Sequence, residues 1–188
     1  MSEAGKRVAP PKDEVTTGLP AVVNAATRLL VLGSLPSRKS IELQQYYGNP
    51  QNVFWRIMAD LAVADAQLSY PERLRQLGDA GIGLWDVLAA AVRPGSLDAR
   101  IDSRTARCND FSALLAAYPA IQRIAFNGKT AARLFRQDQK AMAAVAHHGV
   151  ELADLPSTSP AHAAMAFDEK CRRWREALVF RHEEAARA

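Results

Sequence analysis

The sequence predicts an α/β protein in which helices cover both faces of a short, mainly parallel, four-stranded sheet. Three observations lead there. Apolar runs of strand length alternate with stretches of helical spacing, the pattern of parallel strands joined by crossover helices. Each apolar run stops at a polar or Gly/Pro-bearing segment. The 188 residues, 48% hydrophobic and 23% charged, suit one sizeable core and exclude wholesale disorder.

The elements follow in chain order. Residues 1–24 are polar, carry Pro10 and Pro11 and show no periodicity. They read as a loose N-terminal arm, leaving 25–188 as a single domain. Leu29-Leu30-Val31-Leu32 is a continuous apolar run ending at Gly33, as expected of a strand buried on both faces. Phe54, Ile57, Met58 and Leu61 are spaced for a helix, with Asn52 placed to cap it. Ile82 to Val87 is a second strand. Asn109-Asp110 can cap a helix through Phe111, Leu114, Leu115 and Tyr118 that Pro119 stops. Ile121 to Phe126 is a third strand, broken by Asn127-Gly128 before a helix through Ala131, Leu134 and Phe135. Val150 to Leu155 is the fourth strand. Ser159-Pro160 then opens one long helix through Met165, Phe167, Trp174 and Leu178, with Pro in its first turn.

Composition excludes several function classes. No apolar run approaches the roughly 18–20 residues that span a bilayer, and the N-terminal stretch lacks the apolar core of a secretory signal. Cys108 and Cys171 cannot form a disulfide framework or a Cys-rich metal site. The expectation is a cytoplasmic protein with no membrane partner, no metal and no iron–sulfur cluster. The charge is 24 Lys+Arg against 20 Asp+Glu, a formal +4. Arginine dominates the cations, and guanidinium is the better phosphate fork. Between 93 and 136, Arg93, Arg100, Arg104, Arg107, Arg123, Lys129, Arg133 and Arg136 face only Asp98, Asp102 and Asp110. Such a local excess points to a polyanion partner; it also suits an Arg-rich solvated surface.

In open parallel sheets, ligands bind beyond the carboxyl ends of the strands. Four segments stand there: Gly33-Ser34-Leu35-Pro36-Ser37, Trp85-Asp86, Asn127-Gly128, and Leu155-Pro156-Ser157-Thr158-Ser159-Pro160. None has the G-x-G-x-x-G spacing or the P-loop Gly-Lys-Ser/Thr, which disfavours NAD and ATP as cofactors.

These segments, together with Tyr46-Tyr47-Gly48-Asn49-Pro50-Gln51-Asn52-Val53-Phe54-Trp55, Gly83-Leu84-Trp85-Asp86-Val87, Arg93-Pro94-Gly95-Ser96-Leu97-Asp98 and Phe126-Asn127-Gly128, resemble the hypoxanthine-DNA glycosylase branch of the uracil-DNA glycosylase superfamily. The resemblance spans roughly Leu29 to Leu178. It implies a three-layer α/β/α sandwich and hydrolysis of the N-glycosidic bond of a deaminated base flipped out of DNA, with no cofactor. The first superfamily motif usually supplies a water-positioning Asp or Asn where this chain has Leu35, and the hypoxanthine branch departs in the same way. Its catalytic Asn lies in the Asn-x-Phe-Trp segment, which makes Asn52 the catalytic residue. An amide can orient a water and accept its hydrogen bond while positive charge builds on the sugar.

The resemblance further implies that Phe54 stacks on the flipped base and that Asp86 reads its edge, accepting from a purine ring N–H, or else anchors a loop. Gly33, Ser34, Leu35, Tyr47, Gly48 and Asn127 would line the base pocket. Ser157, Thr158 and Ser159, at a helix start, would hold a DNA phosphate with Lys129 and Arg93; ordinary N-capping explains the hydroxyls equally. Arg172, Arg173 and Arg175 are further phosphate contacts or a solvated helix face. Leu155 occupies the place where many relatives carry a His that stabilises the leaving base, and Asn49 one where a His is commoner. His147 and His148 are structural on this reading, and His162 has no motif behind it. No motif places a Lys as a Schiff-base nucleophile, so the enzyme would be monofunctional, acting as a monomer on damaged double- or single-stranded DNA. The alternatives are a mismatch-type uracil-DNA glycosylase, disfavoured by Leu35, and a DNA-binding module without chemistry. A serine hydrolase is suggested by Gly33-Ser34 but lacks the nucleophile elbow.

Overall fold

The computed structural model describes residues 15–178. In chain order the strands and helices are β1 (Val15–Thr17), β2 (Leu29–Gly33), α1 (Arg38–Leu43), α2 (Phe54–Asp60), α3 (Tyr70–Asp79), β3 (Ile82–Asp86), β4 (Leu88–Val92), β5 (Arg107–Cys108), α4 (Phe111–Ala117), β6 (Arg123–Asn127), α5 (Lys129–Gln137), α6 (Gln139–His148), β7 (Glu151–Leu155) and α7 (Phe167–Leu178). The main sheet has four strands in the order β3-β2-β6-β7, and every pairing in it is parallel.

The period-2 geometry of β2 divides the core in two. Leu30 and Leu32 pack with Ile124, Phe126, Phe111 and Phe135, under α4, α5 and α6. Leu29 and Val31 pack with Ala125, Phe54, Ile57, Met58, Leu77 and Trp174, under α2, α3 and α7. Sheet and two helical layers make the three-layer sandwich that the sequence predicts.

Three expectations need correction. The arm is not loose throughout. Residues 15–17 pair antiparallel with β4, Leu19 is buried, and Val22 exchanges backbone hydrogen bonds of 2.8 and 2.9 Å with Leu84. That last contact covers the outer edge of β3, which would otherwise present unpaired backbone groups. Residues 1–14 of the expected arm lie outside the described residues. Second, the chain after β3 continues into β4, which with β1 and β5 forms a separate antiparallel sheet. Third, Ser159-Pro160 does not open one long helix. It starts a single 3-10 turn, Pro160–His162, capped by Ser159, and α7 begins only at Phe167.

Among the described residues no helix is long and apolar enough to cross a membrane. None of their His, Cys, Asp or Glu side chains cluster in threes to hold a metal.

Candidate active site

The parallel register brings Gly33 beside Asp86 and Asn127 beside Leu155, so the four predicted segments share one edge of the sheet. Asp86 ends β3 only 4% exposed, and its Oδ2 is buried without a hydrogen-bond partner. Burial pushes its carboxyl up to about 7, with Arg93 pulling the other way and Asp98 adding to the rise. Glycine is required at the end of β2 because a Cβ on residue 33 would run into Asp86 Oδ1.

The loop after β2 is clamped from below. Arg93, just past β4, is 2% exposed. Its Nη1 donates to Leu35 O at 3.0 Å and its Nη2 to Pro36 O. It also lies 3.5 Å from Asp98 Oδ1, which accepts from Ser34 Oγ at 2.7 Å. A guanidinium committed this way cannot reach a phosphate, so Arg93 shapes the loop rather than contacting DNA. Ser34 and Leu35 are themselves buried; they form the wall behind the site.

The segment ahead of α2 carries the proposed chemistry. Asn52 is half-buried; its own N–H donates to Asn49 O at 2.8 Å, and its Oδ1 accepts from Phe54 N at 2.9 Å. The cap of α2 is formally Val53, so Asn52 closes a turn one residue ahead of it. An amide oxygen accepts twice and an amide nitrogen donates twice, so one lone pair and the Nδ2 hydrogens remain for a water.

Phe54 is placed differently from the expectation. It is 0% exposed, and the ring of Tyr47 lies flat on it at 4.0 Å and 22°. Trp55 and Trp174 close its edges. In this arrangement Phe54 supports Tyr47 and offers no free face to a base. Tyr47 has φ 55°, an uncommon conformation for a bulky residue. Its hydroxyl is buried without a hydrogen-bond partner; the Asn127 amide and the Asp86 carboxyl are polar neighbours, and burial pushes the phenol above its ordinary value. Gly48 donates to Ser40 Oγ at 3.2 Å, which tucks the turn against α1.

Asn127 and Thr158 are interlocked. Asn127 Nδ2 donates to Thr158 Oγ1 at 2.8 Å, and Thr158 N donates to Asn127 Oδ1 at 2.8 Å. Thr158 is 1% exposed, which removes its hydroxyl from the phosphate contacts, while half-buried Asn127 keeps one donor hydrogen and one lone pair uncommitted to Thr158. Between them Gly128 adopts φ 103°, and a Cβ there would come within 2.9 Å of Ser157 Cβ. Ser157 Oγ accepts from Ser159 N at 3.2 Å and Ser159 Oγ from Ala161 N at 3.3 Å. Both hydroxyls stay half-buried at the rim. Lys129 is exposed at the start of α5. His147 and His148 end α6 at the opposite edge of the sheet, where β7 begins.

Most of the arginine surplus is spent internally. Arg104, Arg123 and Arg136 pair with Asp102, Glu151 and Asp154. Arg172 and Arg173 pair with Glu169, Arg172 also with Glu176, and Arg175 with Asp60. Arg100, Arg107, Lys129 and Arg133, the last bonded to the neutral Gln137 amide, carry no ion pair among the described residues. Sequence reasoning did not find the Arg93–Asp98–Ser34 clamp. Its only signal was that Arg93 and Asp98 lie on one short loop.

The site is thus a parallel sheet with a buried carboxyl and an Asn-bearing turn at its carboxyl edge, and the chain belongs to the uracil-DNA glycosylase superfamily. The sequence profile of the Uracil DNA glycosylase superfamily matches residues 20–179. A protein of Methanosarcina acetivorans named hypoxanthine DNA glycosylase is 39% identical over 169 residues, covering 89% of this chain and 99% of that protein. One of the same name from Methanosarcina barkeri is 42% identical over 113 residues, 60% of this chain and 70% of that protein. A solution NMR structure from Methanosarcina acetivorans, bearing the name uracil DNA glycosylase, superposes with a TM-score of 0.72 at 35% identity. That superposition covers 88% of this chain and 97% of the other.

Proposed function

We propose that the protein is a monofunctional DNA glycosylase that excises a deaminated base, hypoxanthine foremost, leaving an abasic site. It would act in the cytoplasm as a monomer, without a cofactor, on double- or single-stranded DNA. The observation that supports the reading best is the pairing, at one sheet edge, of an Asn-bearing turn with the buried, unpartnered Asp86 Oδ2.

In this mechanism the C1′–N9 bond lengthens first, and negative charge gathers on the departing purine. Asn52 holds a water through its free lone pair and Nδ2. The water oxygen bonds to C1′ of the oxocarbenium-like sugar, and its proton balances the charge on the released base. Asp86 faces the base edge. Hypoxanthine, xanthine and uracil all carry a ring N–H beside a carbonyl, and a carboxyl oxygen accepts from it; adenine and cytosine present a bare ring nitrogen there. Guanine and thymine share the N–H, so this contact discriminates against adenine and cytosine alone. Rejection of the unpaired alternative is where hydrogen-bonding sites gain most selectivity. Leu35 leaves the first motif without its own water-positioning group, which places uracil behind hypoxanthine. Lys170 is 4% exposed and its Nζ is bound to His162 O at 2.8 Å, so it is no free amine for a Schiff base.

The test is an incubation with duplexes bearing inosine, uracil or xanthine, read as alkali-labile sites. Inosine is cleaved fastest, and Asn52→Ala slows cleavage by about a hundredfold or more. Binding without cleavage of any duplex would leave a DNA-binding module in its place.

A further inference from the structure

We propose that Asn127, acting through Thr158, is a positioning residue for Asn52: the interlocked pair sets the height of the loop that holds the Asn52 turn. The inference rests on the catalytic reading of Asn52.

The chain of contacts is short. Asn127 ends β6, a central strand, and its backbone is paired with Leu155 of β7. Its amide spends one acceptor and one donor on Thr158, both at 2.8 Å and both partly buried. Thr158 in turn accepts from Val53 N at 3.1 Å through its backbone carbonyl. Val53 is the residue after Asn52 and the formal cap of α2. On its other side, the Asn52 side chain is held by Phe54 N. Besides the packing of α2 on the sheet, the turn is thus tied by a backbone hydrogen bond to the Thr158 carbonyl, whose position depends on the Asn127–Thr158 pair. Few side chains can do this. The pairing needs an acceptor and a donor on one rigid plane, which asparagine supplies without charge. Gly128 supports it by letting Ser157 approach. The geometry matters for chemistry because a catalytic water displaced by about 1 Å can lose on the order of a hundredfold in rate.

Three variants separate positioning from folding. Thr158→Val keeps the shape and the backbone N–H but removes the hydroxyl; Thr158→Ser restores it; Asn127→Ala removes both bonds. Single-turnover excision of inosine, inosine-DNA affinity and amide exchange of Val53 are measured on each. We expect Thr158→Val and Asn127→Ala to lose roughly tenfold or more in excision rate while affinity stays within about twofold, with Thr158→Ser close to wild type. Val53 exchange should quicken in the two slow variants. Unchanged Val53 protection in Thr158→Val overturns the mechanical link. Faster exchange with an unchanged excision rate overturns the positioning role. A parallel loss of affinity and rate also overturns it, since that marks general distortion. Wild-type protein that cleaves no deaminated base removes the catalytic reading itself, and is recognised as such before any variant is compared.

Discussion

Asn52 has two duties whose magnitudes differ. Its Oδ1 satisfies Phe54 N, and losing such a cap costs about 1 kcal/mol of stability. Holding the attacking water is worth far more: Asn52→Ala should slow excision by about a hundredfold or more while the protein stays folded. A melting point within a few degrees of wild type, with single-turnover excision nearly gone, is the expected pair of results. Unchanged excision removes the catalytic assignment. Asp86 makes a prediction of the opposite kind. Its carboxyl is raised from 3.8 to about 7, chiefly by burial, so folding favours the protonated form. The stability this contributes is complete below about pH 4 and is lost as pH rises through about 7. Asp86→Asn is neutral throughout, so its melting point should gain on wild type between about pH 4 and pH 7 and level off above that. Parallel melting curves over that range would mean that Asp86 is not held in the buried, unpartnered state described.

At the level of elements, what periodicity could see it saw. The inner parallel strands are legible because Leu29–Leu32 and Ile124–Phe126 are buried on both faces and carry apolar residues without interruption. The edge strand β7, with Glu151 and Asp154 exposed, is marked instead by its short length and Pro156. The helix after Asp110 is legible because that residue caps it by accepting from Ala113 N at 2.9 Å. Leu88–Val92 was not, because a run of alanines has no strand period and strong helix propensity; pairing with β1 and β5 decides it. The Ser69–Glu72 capping box opening α3 and the Tyr70–Leu74–Leu77 spacing that packs against the core were readable too, but the helix carries charge around that narrow stripe. The break between Pro160–His162 and α7 had no sequence marker, since Ala163, Ala164 and Met165 all favour helix. Site roles failed for a related reason. Phe54, Thr158 and Arg93 have the right chemistry at the right strand end, yet tertiary contacts decide which groups remain free, and those are invisible in one dimension. The joint after β6 yields a sharp prediction. Gly128 has φ 103° and faces Ser157 with no room for a Cβ. Gly128→Ala should cost about 1–3 kcal/mol in urea unfolding and slow excision as well, because the displaced loop carries Thr158. A neutral Gly128→Ala would show that the loop adapts freely.

For the whole molecule, the question is where a polyanion docks on a chain of net charge only +4. The excess between residues 93 and 136 pointed to the right region but overstated the number of free cations. Arg93 is buried under the β2 loop, and Arg104, Arg123 and Arg136 face carboxylates. Exposed ion pairs of this kind contribute little to stability, but a paired guanidinium must give up its carboxylate before it binds a phosphate. The unpaired Lys129 stands at the start of α5, two residues after Asn127, and so on the rim of the sheet edge that holds Asp86 and the Asn52 turn. A cation there would meet the backbone beside a flipped nucleotide, and each phosphate neutralised adds about 0.9 to the slope of log affinity against log salt for duplex DNA. Lys129→Ala should therefore weaken binding of inosine-bearing and undamaged duplexes alike and lower that slope by roughly one. Arg136→Ala, which removes a cation already paired with Asp154 and thereby frees the carboxylate, should change the slope less. Equal effects from the two variants would mean that DNA displaces the carboxylate freely. A slope unmoved by Lys129→Ala would place the phosphate contacts elsewhere on the rim, with Arg100 and Arg107 the next residues to test.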